Sequence, residues 1–141
     1  MPTRPVMIVD DASLMRRIVG ELVEATGEYH VVASCRDGLA ALSRLREAAP
    51  DVVVLDLEMP VMDGLTFLRH ARVLTAASIL VLSSVADLGS ARARTARRLG
   101  ADAVLSKPSG AVSIDLGAAT RDPLLATLRR VAPPQEPHVQ R

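Results

Sequence analysis

Apolar residues in this chain arrive in two rhythms, short unbroken runs and helical three-or-four spacings, and the two alternate five times. Val6-Met7-Ile8-Val9 is such a run, and Leu14, Ile18 and Leu22, backed by Met15 and Val19, then repeat at helical spacing. His30-Val31-Val32-Ala33 predicts a second strand. Asp37-Gly38 opens a helix carrying Leu39, Leu42 and Leu45, which Pro50 forbids to continue. Val52-Val53-Val54-Leu55 is apolar at every position and stops abruptly at Asp56. A run without alternation suits a strand covered on both faces, in the middle of a parallel sheet. Asp63 is placed to cap the next helix, with Leu65 and Leu68 facing inward and Phe67 nearby. Ile79-Leu80-Val81-Leu82 and Ala103-Val104-Leu105 predict the fourth and fifth strands. Between them, Leu88, Arg92, Ala96 and Leu99 fall on one face of a fourth helix. After a polar connection from Ser109 to Thr120, Pro123 suits a first helical turn, and Leu124, Leu125 and Leu128 supply its buried face. Five strand–helix pairs with short connections imply an α/β fold: a doubly wound five-stranded parallel sheet. The domain is expected over residues 1–131, with a Pro-rich linker or tail over 132–141.

Composition narrows the class. The 141 residues carry 49% hydrophobic and 23% charged side chains, ordinary for one globular domain, and the formal net charge of +1 creates no global field toward nucleic acid. No apolar run reaches the length of a membrane span and no signal-peptide core follows Met1, so the expected setting is the cytoplasm, without a membrane partner. Cys35 is the single cysteine, which excludes an internal disulfide and a cysteine-based metal cluster; it reads as a small core residue. Arg94, Arg97 and Arg98 cluster on the fourth helix with no acid between Asp87 and Asp102. Such a face is either simply solvated or a docking surface for an acidic partner. No aromatic residues interleave with these arginines, which argues against nucleic acid.

The chemistry lies at the strand ends. Asp10-Asp11 closes the first strand and Asp56 the third, and in a parallel sheet those ends share one rim, where open α/β sheets place their sites. Three carboxylates there suit a hard cation, and oxygen-only ligands point to Mg²⁺ rather than zinc. Asp10-Asp11 also suits helix capping, and Asp56 a simple strand end. Ser83-Ser84 and Lys107-Pro108 bring a hydroxyl and an ammonium to the same rim, and Lys107 is the only lysine among the 17 basic residues. Together these groups support phosphoryl transfer to a carboxylate. Asp56 would be the nucleophile, Asp10 and Asp11 with the Glu58 carbonyl would hold the metal, and Ser83 and Lys107 would donate to phosphoryl oxygens.

Val9-Asp10-Asp11, Pro50-Asp51 leading to Leu55-Asp56, Met59-Pro60 with Met62-Asp63-Gly64, Leu82-Ser83-Ser84, and Gly100-Ala101 before Lys107-Pro108 resemble the receiver domain of two-component response regulators. The resemblance covers about residues 5 to 131 and rests on five motifs in order. It implies a flavodoxin-like sheet of order 2-1-3-4-5 and phosphorylation of Asp56 by a histidine kinase. It also implies output to a tethered or separate effector through the fourth helix, fifth strand and fifth helix, and a cis Lys107-Pro108 bond. Ser84, Val104 and Pro108 take the switch and structural positions. Ser83-Ser84, Lys107-Pro108-Ser109-Gly110 and Ser113-Ile114-Asp115-Leu116 are most similar to the receiver half of chemotaxis protein-glutamate methylesterases. Val104 departs from the aromatic residue of many receivers, so a ring-rotation readout is not available. His30, His70 and His138 lack a Gly-x-Ser-x-Gly context, so the chain is expected to hold only self-phosphorylation and autodephosphorylation chemistry. It would regulate a methylesterase-type effector or act as a solitary receiver. A Mg²⁺-dependent aspartyl phosphatase is the remote alternative, with Asp56 as nucleophile and Glu58 as second acid.

Overall fold

A computed structural model describes residues 2–84, 87–108 and 123–135. The chain runs β1 (Arg4–Val9), α1 (Ser13–Glu24), β2 (Tyr29–Cys35), α2 (Gly38–Ala48), β3 (Val52–Asp56), α3 (Gly64–Leu74), β4 (Ser78–Ser83), α4 (Ala91–Arg98), β5 (Ala103–Ser106) and α5 (Pro123–Val131). The five strands pair in parallel in the order β2-β1-β3-β4-β5, as expected. The Ser109 to Thr120 connection, Ser113-Ile114-Asp115-Leu116 and the tail from Glu136 onward lie outside the described residues.

Strand alternation divides the core in two. Val53 and Leu55 of β3 join Met7, Val9, Ile79 and Val81 on one face, against Leu45 of α2 and Phe67 and Leu68 of α3. Val52 and Val54 join Val6, Ile8, Leu80 and Leu82 on the other, against Leu22 of α1 and Leu124, Leu125 and Leu128 of α5. Every residue of β3 is buried, which explains its unbroken apolar run. Cys35 is a buried core residue.

The helices sit in slightly different phases from those their leucines predict. In α1 the buried residues are Val19, Leu22 and Val23, with Met15 and Ile18 packed alongside, whereas Leu14 is 64% exposed. Leu39 of α2 is likewise exposed, and Ala41 and Leu45 form the inner face. In α4 the inward residues are Ala93 and Ala96, while Arg92 lies off the core face and Leu88 precedes the helix. Small side chains let a helix approach a sheet closely, and the arginine stem does not compete for that space.

Asp37 and Asp63 cap α2 and α3, accepting from the amides of Ala40 and Thr66 at 2.7 and 2.9 Å. At the sheet's other pole, three side chains hold the end of α5. Ser78 Oγ donates to the Val131 carbonyl, Tyr29 Oη to Ala132 and Arg4 Nη1 to Pro133, at 2.9, 2.7 and 2.8 Å. These bonds satisfy carbonyls that a helix end leaves without partners.

Gly64, the first residue of α3, packs directly on the backbone that leaves β3. A Cβ there would stand 2.5 Å from Leu57 Cα and 2.6 Å from the Asp56 carbonyl oxygen. Backbone cannot yield as a flexible side chain does, so Gly64→Ala should lower stability by about 2–3 kcal/mol. Urea unfolding of the two proteins measures this, and equal midpoints would refute the close approach.

Candidate functional site

Parallel pairing brings Val9 of β1 beside Leu55 of β3, and Asp56 itself pairs with Leu82 of β4. Asp10 and Asp56 therefore emerge as neighbours on one rim, both 3% exposed, with Asp11 exposed beside them. One carboxylate oxygen from each of the three lies within 4.8 Å of the others. Lys107, just after β5, reaches in from the far side: its Nζ is 3.2 Å from Asp56 Oδ1 and 3.5 Å from Asp10 Oδ2. Ser83, buried at the end of β4, lines the same cleft as Asp56 and Lys107, and its carbonyl accepts from the Lys107 amide at 2.8 Å.

The capping alternative for the acid pair does not hold. The residue flanking α1 is Ala12, with no side-chain cap; Asp10 Oδ1 instead accepts from the Ala12 amide at 2.9 Å. Asp56 Oδ1 accepts from the Glu58 amide at 3.1 Å. Asp56 Oδ2 is buried with no partner among the described residues. A fully desolvated carboxylate oxygen without a donor is costly, and it marks where a ligand belongs. Three hard oxygen donors facing one ammonium fit a hard divalent cation such as Mg²⁺.

Electrostatics follow this geometry. Burial, with the Asp10 carboxylate adding to it, raises the Asp56 pKa to about 6; the Glu58 amide and Lys107 oppose the shift only in part. Burial works against the Lys107 ammonium, but Asp10 and Asp56 outweigh it and raise its pKa.

The remaining expected residues take varied places. Ser84 is exposed, and its hydroxyl donates to Asp87 Oδ2 at 2.9 Å. Val104 pairs with Val81 within the sheet and packs against the core, half-buried. The Lys107-Pro108 bond is a correction to the resemblance, since the described residues contain no cis peptide. The two isomers at proline differ by only about 0.5–1 kcal/mol, so surroundings choose between them. Lys107 reaches both carboxylates from the trans form.

Two residues escaped the sequence reading: Arg92 and Asp87 both line the cleft over Asp56. Arg92 Nη1 lies 3.7 Å from Glu58 Oε1. Interaction between the neighbouring carboxyls of Glu58 and Asp87 pushes that of Glu58 up and that of Asp87 down. The signal available was the position of Arg92 at the start of a helix that follows a site strand. Its helical phase argued for the interior instead.

Residues 6–116 match the family model described as the response regulator receiver domain. A protein-glutamate methylesterase/protein-glutamine glutaminase of Syntrophomonas wolfei is 38% identical over 116 residues, which cover 82% of this chain and 33% of that protein. The chain thus spans about a third of the length of the curated relatives it matches. Among solved structures, the response regulator domain of Thermotoga maritima CheB superposes with a TM-score of 0.78 at 29% identity, covering 92% of this chain and 96% of that one. The complex of the P1 domain of CheA3 with CheY6 from R. sphaeroides contains a chain that is 44% identical, with a TM-score of 0.74, covering 93% of this chain and 98% of its own.

The raised Asp56 pKa carries a stability consequence with a definite sign. Between the ordinary value of 3.8 and about 6 the folded state binds more protons than the unfolded one, so stability falls as pH rises through that window. In chelator at pH ~7.5, Asp56→Asn should therefore exceed the parent in stability, by on the order of 2 kcal/mol. At pH ~4 the difference should shrink toward zero. Urea unfolding at both pH values checks this, and a variant no more stable than the parent at pH ~7.5 would contradict it.

Proposed function

Because the chain belongs to the response regulator receiver domain family, we propose that it is a phosphorylation-switched signalling module that accepts a phosphoryl group on Asp56 from a histidine kinase. The observation that carries the reading is the orphaned Asp56 Oδ2, a buried oxygen with a free lone pair on the floor of a cleft. Transfer from a small donor such as acetyl phosphate is balanced simply: Asp56 Oδ2 bonds to phosphorus, the P–O bond to the acetyl group breaks, and acetate leaves with the electron pair.

Asp10, Asp11 and Asp56, with the Glu58 carbonyl, are the groups that would hold Mg²⁺. When bound, the ion supplies positive charge that offsets the phosphoryl oxygens. Lys107 is held between Asp10 and Asp56. Once Asp56 is esterified, its carboxylate charge is gone, and the ammonium is free to donate to a phosphoryl oxygen. Ser83 donates its hydroxyl to another, drawing the end of β4 inward. Val104 has no ring to rotate, so the change must travel through backbone and packing toward α4, β5 and α5.

That surface would engage the effector. The similarity to about a third of methylesterase proteins supports a chemotaxis effector of methylesterase type as the regulated partner. Among the described residues no helix is long and apolar enough to cross a membrane, in keeping with the cytoplasmic setting we propose.

With acetyl phosphate and Mg²⁺, intact mass should rise by one phosphate, and the gain should vanish in Asp56→Asn and in chelator. A gain that survives either condition would exclude Asp56 or the metal. Asp11→Ala should weaken Mg²⁺ binding about ten-fold by calorimetry, since a hard cation is left with fewer anionic oxygens; unchanged affinity would remove Asp11 from the metal site.

A further inference from the structure

Apart from Lys107, Arg92 is the only basic side chain lining the cleft over Asp56 among the described residues. It stands in the first turn of α4, half-exposed, and meets Glu58 across the cleft mouth at 3.7 Å. The Glu58 carboxyl neighbours that of Asp87, which accepts from the Ser84 hydroxyl. Side chains from the β3–α3 loop, the end of β4 and α4 thereby line one cleft with the phosphoacceptor. The cleft they line is small, about 20 Å³, room for one water. A donor that approaches Asp56 through this cleft meets these side chains first.

The Arg92–Glu58 contact is the part best suited to open. Its two members are 49% and 56% exposed and sit near the outer limit of an ion pair, so solvent screens the attraction strongly. A phosphoryl dianion offers the same guanidinium two or three charged oxygens in a geometry that its planar fork matches. The other arginines of α4 are not placed for this. Arg94 donates to the Gly89 carbonyl, and Arg97 and Arg98 occupy the last turn.

We propose that Arg92 captures the donor: it exchanges Glu58 for the dianionic phosphoryl group and guides that group onto Asp56, with the Glu58 carboxylate acting as its resting competitor. This rests on Asp56 being the phosphoacceptor. The recognised chemistry is the phosphoryl group itself, whether carried by an acyl phosphate or by a phosphorylated imidazole.

The test is a double-mutant cycle on the whole chain, with phosphorylation rate followed by intact mass against acetyl phosphate concentration at fixed Mg²⁺. Arg92→Gln should raise the half-saturating donor concentration about five-fold, with a plateau rate close to the parent's. Glu58→Gln should lower that concentration, and should have no effect once Arg92 is already Gln. A parallel series with phosphoimidazole separates the sources. The same shift with both donors assigns capture to the phosphoryl group, and a shift with acetyl phosphate alone restricts it to acyl donors. An unchanged half-saturating concentration in Arg92→Gln overturns the proposal. So does a fall in plateau rate alone, which would make Arg92 a support for α4. A Glu58→Gln effect that persists without Arg92 also overturns it, leaving only the field of a carboxylate. If the parent chain gains no phosphate, it is the phosphoacceptor reading that fails.

Discussion

Asp56 is a carboxylate held almost out of water beside a second buried carboxylate, Asp10, with the ammonium of Lys107 bridging them and one oxygen left without a donor. The neighbouring structure is arranged around that imbalance. β3 is covered on both faces, so Asp56 cannot retreat into solvent by shifting its strand; any slip would drag Val52 to Leu55 out of the two core layers. The site is therefore held in a costly state by hydrophobic packing. A bound cation would relieve that cost, and a phosphoryl group on Asp56 would move the negative charge from the buried carboxylate onto oxygens that a cation, Lys107 and Ser83 can reach.

Rigidity is unevenly spread along the sheet. At the pole away from the site, Arg4, Tyr29 and Ser78 hold three successive carbonyls at the end of α5, and Arg129 pairs with Glu28. At the site rim the chain is tauter and less anchored. The loop after β3 turns through Val61, a β-branched residue at φ 68°, where the Met62 amide bonds the Pro60 carbonyl in a strained γ-turn. Gly64 then fits against the Asp56 carbonyl with no room for a methyl group. α4 rests on the body through Ala93 and Ala96 and turns its arginines outward. Small side chains thus make up most of its contact with the core, with Leu99 packed beside them.

Much of this was legible in the chain because the relevant signals are local. A short apolar run of β-branched residues with no alternation suits a strand covered twice, which pointed to β3 as central and put Asp56 at its end. Asp37 and Asp63 announced their helix starts by type and position. The alternation of strand and helix then left a parallel sheet as the economical solution, and parallel strands must bring Asp10, Asp56, Ser83 and Lys107 to a common rim.

What the sequence determined by itself was thus the fold class, the order of elements and the set of groups at the rim, since these follow from backbone hydrogen bonding and the two hydrophobic periods. The tertiary structure decided how those groups use one another. Leu14 and Leu39 face solvent while Ala93 and Ala96 face the sheet, because helix phase is settled by which side chains fill the space over the strands, and periodicity alone does not measure that space. The orphaned oxygen of Asp56 depends on where Glu58 and Lys107 point. Arg92 joined the site only when α4 docked and carried its first turn to the cleft. Contacts between residues 34 positions apart, such as Arg92 with Glu58, are a product of packing that no local pattern encodes.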